Sequence, residues 1–137
     1  MIKIITVFMT AARIMLASPF IVDGFIKALN FNSAQLLVQK IPFIQESNSA
    51  AVLLGLIVFQ ILAGLVLVIG SATLLSRLSA ILLAFLSFFM AFLLYPFWSN
   101  AQGDQLAHAI DFIQNLAITG GLLFFAIAVP RLPQQGY

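Results

Sequence analysis

The sequence predicts an all-α membrane protein, a four-transmembrane-helix antiparallel bundle, on three observations. Of its 137 residues, 63% are hydrophobic and only 7% charged. Its mean hydropathy is +1.14, more than a soluble domain of this size carries on its surface. Its apolar residues fall in four blocks, about Ile4 to Leu29, Ala50 to Ile69, Thr73 to Tyr95 and Ala107 to Val129, each long enough to cross ~30 Å of hydrocarbon as a helix. The blocks are continuously apolar, which argues against a barrel, and helices satisfy their own backbone in lipid. Short connections predict one domain over residues 1–137.

The first span carries Arg13, Asp23 and Lys27 inside an otherwise apolar run. Charges in lipid cost a few kcal/mol each, so they face the bundle interior and require partners or water. At ~100° per residue, Arg13, Gly24 and Lys27 fall within about 60° of one another, with Asp23 some 40° further on. Asp23 and Lys27 stand four apart with the acid first, the favourable order for a helical ion pair. The alternative for Lys27 is snorkelling to the interface. Pro19 removes one backbone donor and predicts a kink near Met15 to Ser18. Lys3 and Leu16-Ala17-Ser18 faintly resemble a signal peptide, but the apolar run continues beyond Pro19 and reads as a retained span.

The long connection from Asn30 to Ser49 predicts a short helix capped by Ser33 and stopped by Pro42. It reads as a surface helix on the bundle mouth or in the membrane interface, with a lid as the less favoured account. Asn48 and Ser49 are natural caps for the second span, in which Ala51 and Gly55 have the spacing of a close helix–helix approach. Gln60 is that span's one strong hydrogen-bonding side chain, read as interhelical glue or a ligand contact. Gly70 to Thr73 forms a tight turn into the third span. That span is mostly Leu, Phe and Ala, and reads as packing and lipid-facing surface. Tyr95-Pro96-Phe97-Trp98 reads as an interfacial anchor and 99–105 as a polar loop.

In the fourth span His108, Asp111, Asn115 and Thr119 occupy one stripe about 80° wide. This stripe and that of the first span are natural partners. Lys27, Asp23, His108 and Asp111 are expected to meet near one membrane face, with Asn115 one turn deeper. Arg13, ~15–20 Å further in, needs Asn115, Gln60, backbone carbonyls, water or a ligand. The candidates for ligand binding or proton transfer are therefore Arg13, Asp23, Lys27, Gln60, His108, Asp111 and Asn115. They can bind a quinone headgroup or another polar molecule, or serve only to fix helix register.

Charge and cysteine count narrow the function classes. The net charge of +2 comes from scattered residues, so no nucleic-acid footprint exists. Lys3, Arg77 and Arg131 share one side, against Lys40 and Lys27 with Glu46 and Asp104 on the other, which places both termini in the cytoplasm. The absence of cysteine removes disulfide exchange and thiolate-held clusters. A single His excludes a bis-His haem within one chain, and no carboxylate/His cluster marks a metal site. No nucleophile-plus-base motif is present, so no catalytic residue is assigned and no activity is expected of the chain alone. Gly120-Gly121 reads as close packing.

Arg13, the run Phe20-Ile21-Val22-Asp23-Gly24-Phe25-Ile26-Lys27, the Gly70 to Arg77 turn, Phe97-Trp98 and the run Phe112 to Leu123 resemble the DoxX family of small four-helix membrane proteins. The resemblance extends over nearly the whole chain. It implies association with membrane oxidoreductase systems, among them thiosulfate:quinone oxidoreductase and complexes with sulfurtransferase and superoxide dismutase. It also implies importance for Arg13, Gly24, Lys27 and Asn115. The chain departs from the pattern at Tyr95-Pro96, where relatives often show His, and at Gln114, where they often show Lys. The expected function is an accessory subunit of a quinone-linked redox system in a bacterial or archaeal inner membrane. Such a subunit carries no intrinsic cofactor, binds a quinone, and has lipids and a redox enzyme as partners, with self-association left open. The alternatives are a small-molecule or lipid carrier and a purely structural subunit.

Overall fold

The computed structural model describes residues 2–70, 74–95, 98 and 105–128. It is all helical: α1 (Ile2–Leu29), α2 (Phe31–Gln39), α3 (Glu46–Ile69), α4 (Leu74–Leu94) and α5 (Gln105–Ala128). Four of these, α1, α3, α4 and α5, are long and apolar enough to cross a membrane. Their outer faces are apolar, with Phe8, Met15, Phe124 and Ile127 all at least 70% exposed, as expected where lipid tails are the solvent. Residues 71–73 of the predicted turn, Pro96 and Phe97 of the aromatic stretch, residues 99–104 with Asp104, and Arg131 lie outside the described residues.

Two helix pairs dominate the packing, α1 with α3 and α4 with α5. In the first pair the close approach is made by glycine. A Cβ on Gly24 would lie 2.7 Å from Ile61 Cγ1, and one on Gly64 would lie 2.8 Å from Ile21 Cγ1. The predicted Ala51/Gly55 surface does not serve this purpose. Gly55 has no atom within 4 Å of a Cβ position, and both residues are exposed. In the second pair the approach is set by small residues of α4: Ser76, Ser79, Ala80, Ala84, Ser87 and Ala91 are all buried, at the three- and four-residue spacing of one face. Gly121 of α5 meets α1, where its Cβ would lie 2.9 Å from Leu16 Cδ2, while Gly120 faces open space.

All four long helices converge on one core, with Ala17 and Phe20 of α1, Leu67 of α3, Leu83 of α4, and Leu122 and Phe125 of α5 among its members. A second, smaller core joins Ala34 and Val38 of α2 to Leu53 and Ile57 of α3. The expected caps shift accordingly. Helix α3 starts at Glu46 instead of after Ser49. Ser49 is buried within it, donates to the Glu46 carbonyl at 2.8 Å and accepts from Gln35 Nε2 at 2.9 Å and Gln39 Nε2 at 3.3 Å. Ser49 thus fastens α2 to α3. Likewise α2 starts before Ser33 and ends at Gln39, ahead of Pro42.

Helix α1 runs unbroken through Pro19. The ring removes the N–H that would reach the Met15 carbonyl, and Ser18 Oγ donates to that carbonyl at 3.1 Å instead, re-satisfying a freed backbone group within the apolar segment.

The glycine approach yields a direct test. Gly24→Ala and Gly64→Ala force Ile61 and Ile21 to move, so each lowers stability by about 1–3 kcal/mol. Gly55→Ala, with open space around it, is neutral or stabilising by up to about 1 kcal/mol. Thermal unfolding in detergent compares the three.

Candidate functional site

Beyond the four-helix core, along the same helices, lies a cavity of about 430 Å³, within the ~300–1,000 Å³ range of small-molecule sites. Every helix contributes to its wall. Apolar side chains, including Phe20, Leu56 and Met90, make up most of it. Among the described residues, the charged ones on the wall are Asp23, Lys27 and Asp111.

Asp23 and Lys27 lie one helical turn apart, and the Lys27 ammonium pairs with Asp23 Oδ2. Gln60, 4% exposed, completes the group from α3. Its Nε2 donates to Asp23 Oδ2 at 3.0 Å, and its Oε1 accepts from Lys27 Nζ at 3.4 Å. One amide therefore supplies a donor to the acid and an acceptor to the base. This closes a three-membered polar group that neutralises the charges of α1 and ties α1 to α3.

On the far wall, Asn115 is held on both ends of its amide. Its Nδ2 donates to the Asp111 carbonyl at 2.9 Å, and Ser87 Oγ of α4 lies 3.1 Å from both Asn115 Oδ1 and the Asn115 carbonyl. Thr119 Oγ1 donates to the same carbonyl at 2.8 Å. Asn115 thus clamps α5 to α4.

Tyr95, one residue past α4, is a cavity residue, a finding that extends its expected role as an interfacial anchor. Burial first, and then the nearby carboxylates of Asp111 and Asp23, push its phenol above the usual tyrosine value. It therefore keeps its proton at neutral pH and can donate. Helix α2, expected on the bundle mouth or in the interface, lines the cavity with Ser33, Ala34, Leu37 and Val38, so it forms one wall.

Of the seven residues singled out in the sequence, Asp23, Lys27, Gln60, Asp111 and Asn115 line the cavity. Arg13 and His108 do not. Arg13 Nη1 donates to the Gly70 carbonyl at 2.6 Å, at the C-terminal end of α3, and its guanidinium lies 5.3 Å from the centroid of the Phe125 ring. Of the partners open to it, the backbone carbonyl is the one it takes, where the negative end of the α3 dipole favours a cation. His108 packs its ring on Tyr95 at 6.1 Å between centroids, with Nδ1 buried and lacking a hydrogen bond. Of the four groups expected to meet, Asp23 and Lys27 pair, Asp111 shares the cavity with them without a bond to either, and His108 packs on the cavity residue Tyr95. The stripes of α1 and α5 face across the cavity instead of packing together, because α1 packs chiefly on α3 and α5 on α4.

Among the described residues, no group of three or more His, Cys, Asp or Glu side chains is arranged to hold a metal ion. The model of the DoxX family matches residues 8–96, about two thirds of the chain. That range includes Arg13, Gly24, Lys27 and Gln60 and ends before Asp111 and Asn115. No curated protein and no solved structure gives a match.

Two outcomes follow from the separate roles of Arg13 and Lys27. Arg13→Met removes a charged hydrogen bond at the α3 terminus and lowers stability by about 1.5–3 kcal/mol, read by thermal unfolding, while leaving the cavity intact. In a double-mutant cycle, Lys27→Met and Asp23→Asn together cost less than the sum of the single changes, with a coupling of about 0.5–3 kcal/mol. Additive costs would show that the pair is not coupled.

Proposed function

The chain belongs to the DoxX family, and from that premise we propose that it is the integral membrane accessory subunit of a quinone-linked redox system, with the five-helix-walled cavity as its ligand site. The carrying observation is the cavity itself: a mostly apolar chamber with a polar cluster, Asp23, Lys27 and Gln60, on one wall and another, Ser87, Asp111 and Asn115, on a second, the form expected of a site for a lipid-soluble molecule with a polar head. The redox association is what the family resemblance implies.

The residues fit such a group. Lys27 Nζ, with one proton left after Asp23 and Gln60, and the Tyr95 phenol are available donors, while the carboxylates of Asp23 and Asp111 are acceptors. Phe20, Leu56 and Met90 suit an apolar ring or chain. A bound quinone supplies two-electron and proton carriage. With no redox centre of its own, this chain positions the headgroup and excludes water, and an enzyme partner delivers the electrons.

The protein is multi-pass. In this reading its four long helices form an antiparallel bundle in the cytoplasmic membrane of a bacterium or archaeon, as one domain. Both termini face the cytoplasm, following the distribution of Lys3, Arg77 and Arg131 against Lys40.

Native mass spectrometry of protein extracted gently from its own membrane tests the assignment. The expected result is a co-purifying quinone, a redox enzyme, or both. The quinone is lost on Ala34→Trp, which fills the cavity from α2, and retained on Arg13→Met. Lipid alone, with no partner and no response to Ala34→Trp, would overturn the proposal.

A further inference from the structure

Both carboxylates described on the cavity wall keep acceptor capacity for a ligand. Asp23 receives both of its donors, Lys27 Nζ and Gln60 Nε2, on the same oxygen, Oδ2, leaving Oδ1 to the cavity. Its side chain is 47% exposed. Asp111 uses its backbone carbonyl to receive Asn115, and among the described residues no protein donor bonds its carboxylate. On the donor side, Gln60 and Asn115 are engaged at both ends of their amides and Ser87 donates to Asn115, while the third Lys27 proton, the Tyr95 phenol and the Gln114 amide serve other edges of the cavity. Among the described residues, two carboxylates and one ammonium line the space, and the ammonium is already paired with Asp23.

A carboxylate facing an apolar chamber is stabilised by a donor that enters with a ligand, and such charge-assisted bonds are about twice as strong as neutral ones. A carbonyl oxygen brought to the same place meets an acceptor. We propose that the cavity selects an amphiphile whose ring carries hydroxyl groups, held by donation to the Asp111 carboxylate with Asp23 Oδ1 as a second acceptor. This rests on the reading of the cavity as the ligand site. Applied to a quinone pair, it means that the hydroxyl form binds more tightly than the carbonyl form. Each tenfold of preference raises the two-electron potential of the bound pair by about 30 mV.

The test uses the full chain in phosphatidylcholine nanodiscs and equilibrium titration with a 5-alkylresorcinol and its dimethyl ether, which share shape and differ in donors. The resorcinol is expected to bind at least tenfold more tightly. Asp111→Asn abolishes the difference and Asp111→Glu keeps it. Equal binding of the two probes by the unmodified chain, binding of neither, or a preference untouched by Asp111→Asn overturns the inference. The comparison on the unmodified chain decides even where the Asn variant does not fold. A short-chain benzoquinone is titrated in parallel. If it binds while the donor preference is absent, the ligand assignment stands and this inference falls. If the preference is present and the benzoquinone and its hydroquinone both fail to bind, the inference stands and the quinone assignment falls.

Discussion

The structure depends on one requirement: the charges of α1 must be answered inside an apolar medium. An unpaired ion in hydrocarbon costs several kcal/mol, and no single neighbour could answer both Asp23 and Lys27 except a side chain with a donor and an acceptor at a fixed separation. Gln60 is such a side chain. Its amide meets both partners only because Gly24 and Gly64 let α1 and α3 approach closely. The polar group and the glycine contact are therefore one device. The glycines set the helix separation, and the separation makes the three-way hydrogen bonding possible.

The cavity follows from how the remaining helices are satisfied. On α5, Asn115 accepts from Ser87 of α4 beside a face of small residues. With α1 committed to α3 and α5 to α4, the two polar stripes are left facing each other without contact. The space between them is sealed by the shared core at one end and by α2 at the side. On its walls Gln60, Asn115 and Ser87 are engaged by the protein itself, while the two carboxylates keep acceptors open.

The four spans were legible because lipid imposes a length and a composition that few other structures share. The charged stripe of α1 was legible for the same reason, since each ion stands out against an apolar background. The pairing was harder to read. A stripe states that a helix needs a polar partner and says little about which helix supplies it, so Asp23 and Lys27 pointed to α5 while Gln60 of α3 answers them. Arg13 shares its stripe with Lys27, yet 1.5 Å per residue carries it to the other end of α3, where a backbone carbonyl, invisible in any side-chain pattern, takes it. For α2 the sequence leaves the bundle mouth and the interface both open, and for Tyr95 it points to the interface, because amphipathic helices and aromatics normally belong there. Only the tertiary arrangement turns their inner faces toward a cavity.

The Asp23–Lys27–Gln60 group also bears on the order of biosynthesis. All its members lie within the first 60 residues, and α2 is fastened to α3 by Ser49 within the same stretch. The costliest charges of the chain can therefore be neutralised while it is still being made, before α4 and α5 leave the ribosome. The amino-terminal half can rest in the bilayer as a self-sufficient unit, and the later helices close a chamber whose first three walls already stand.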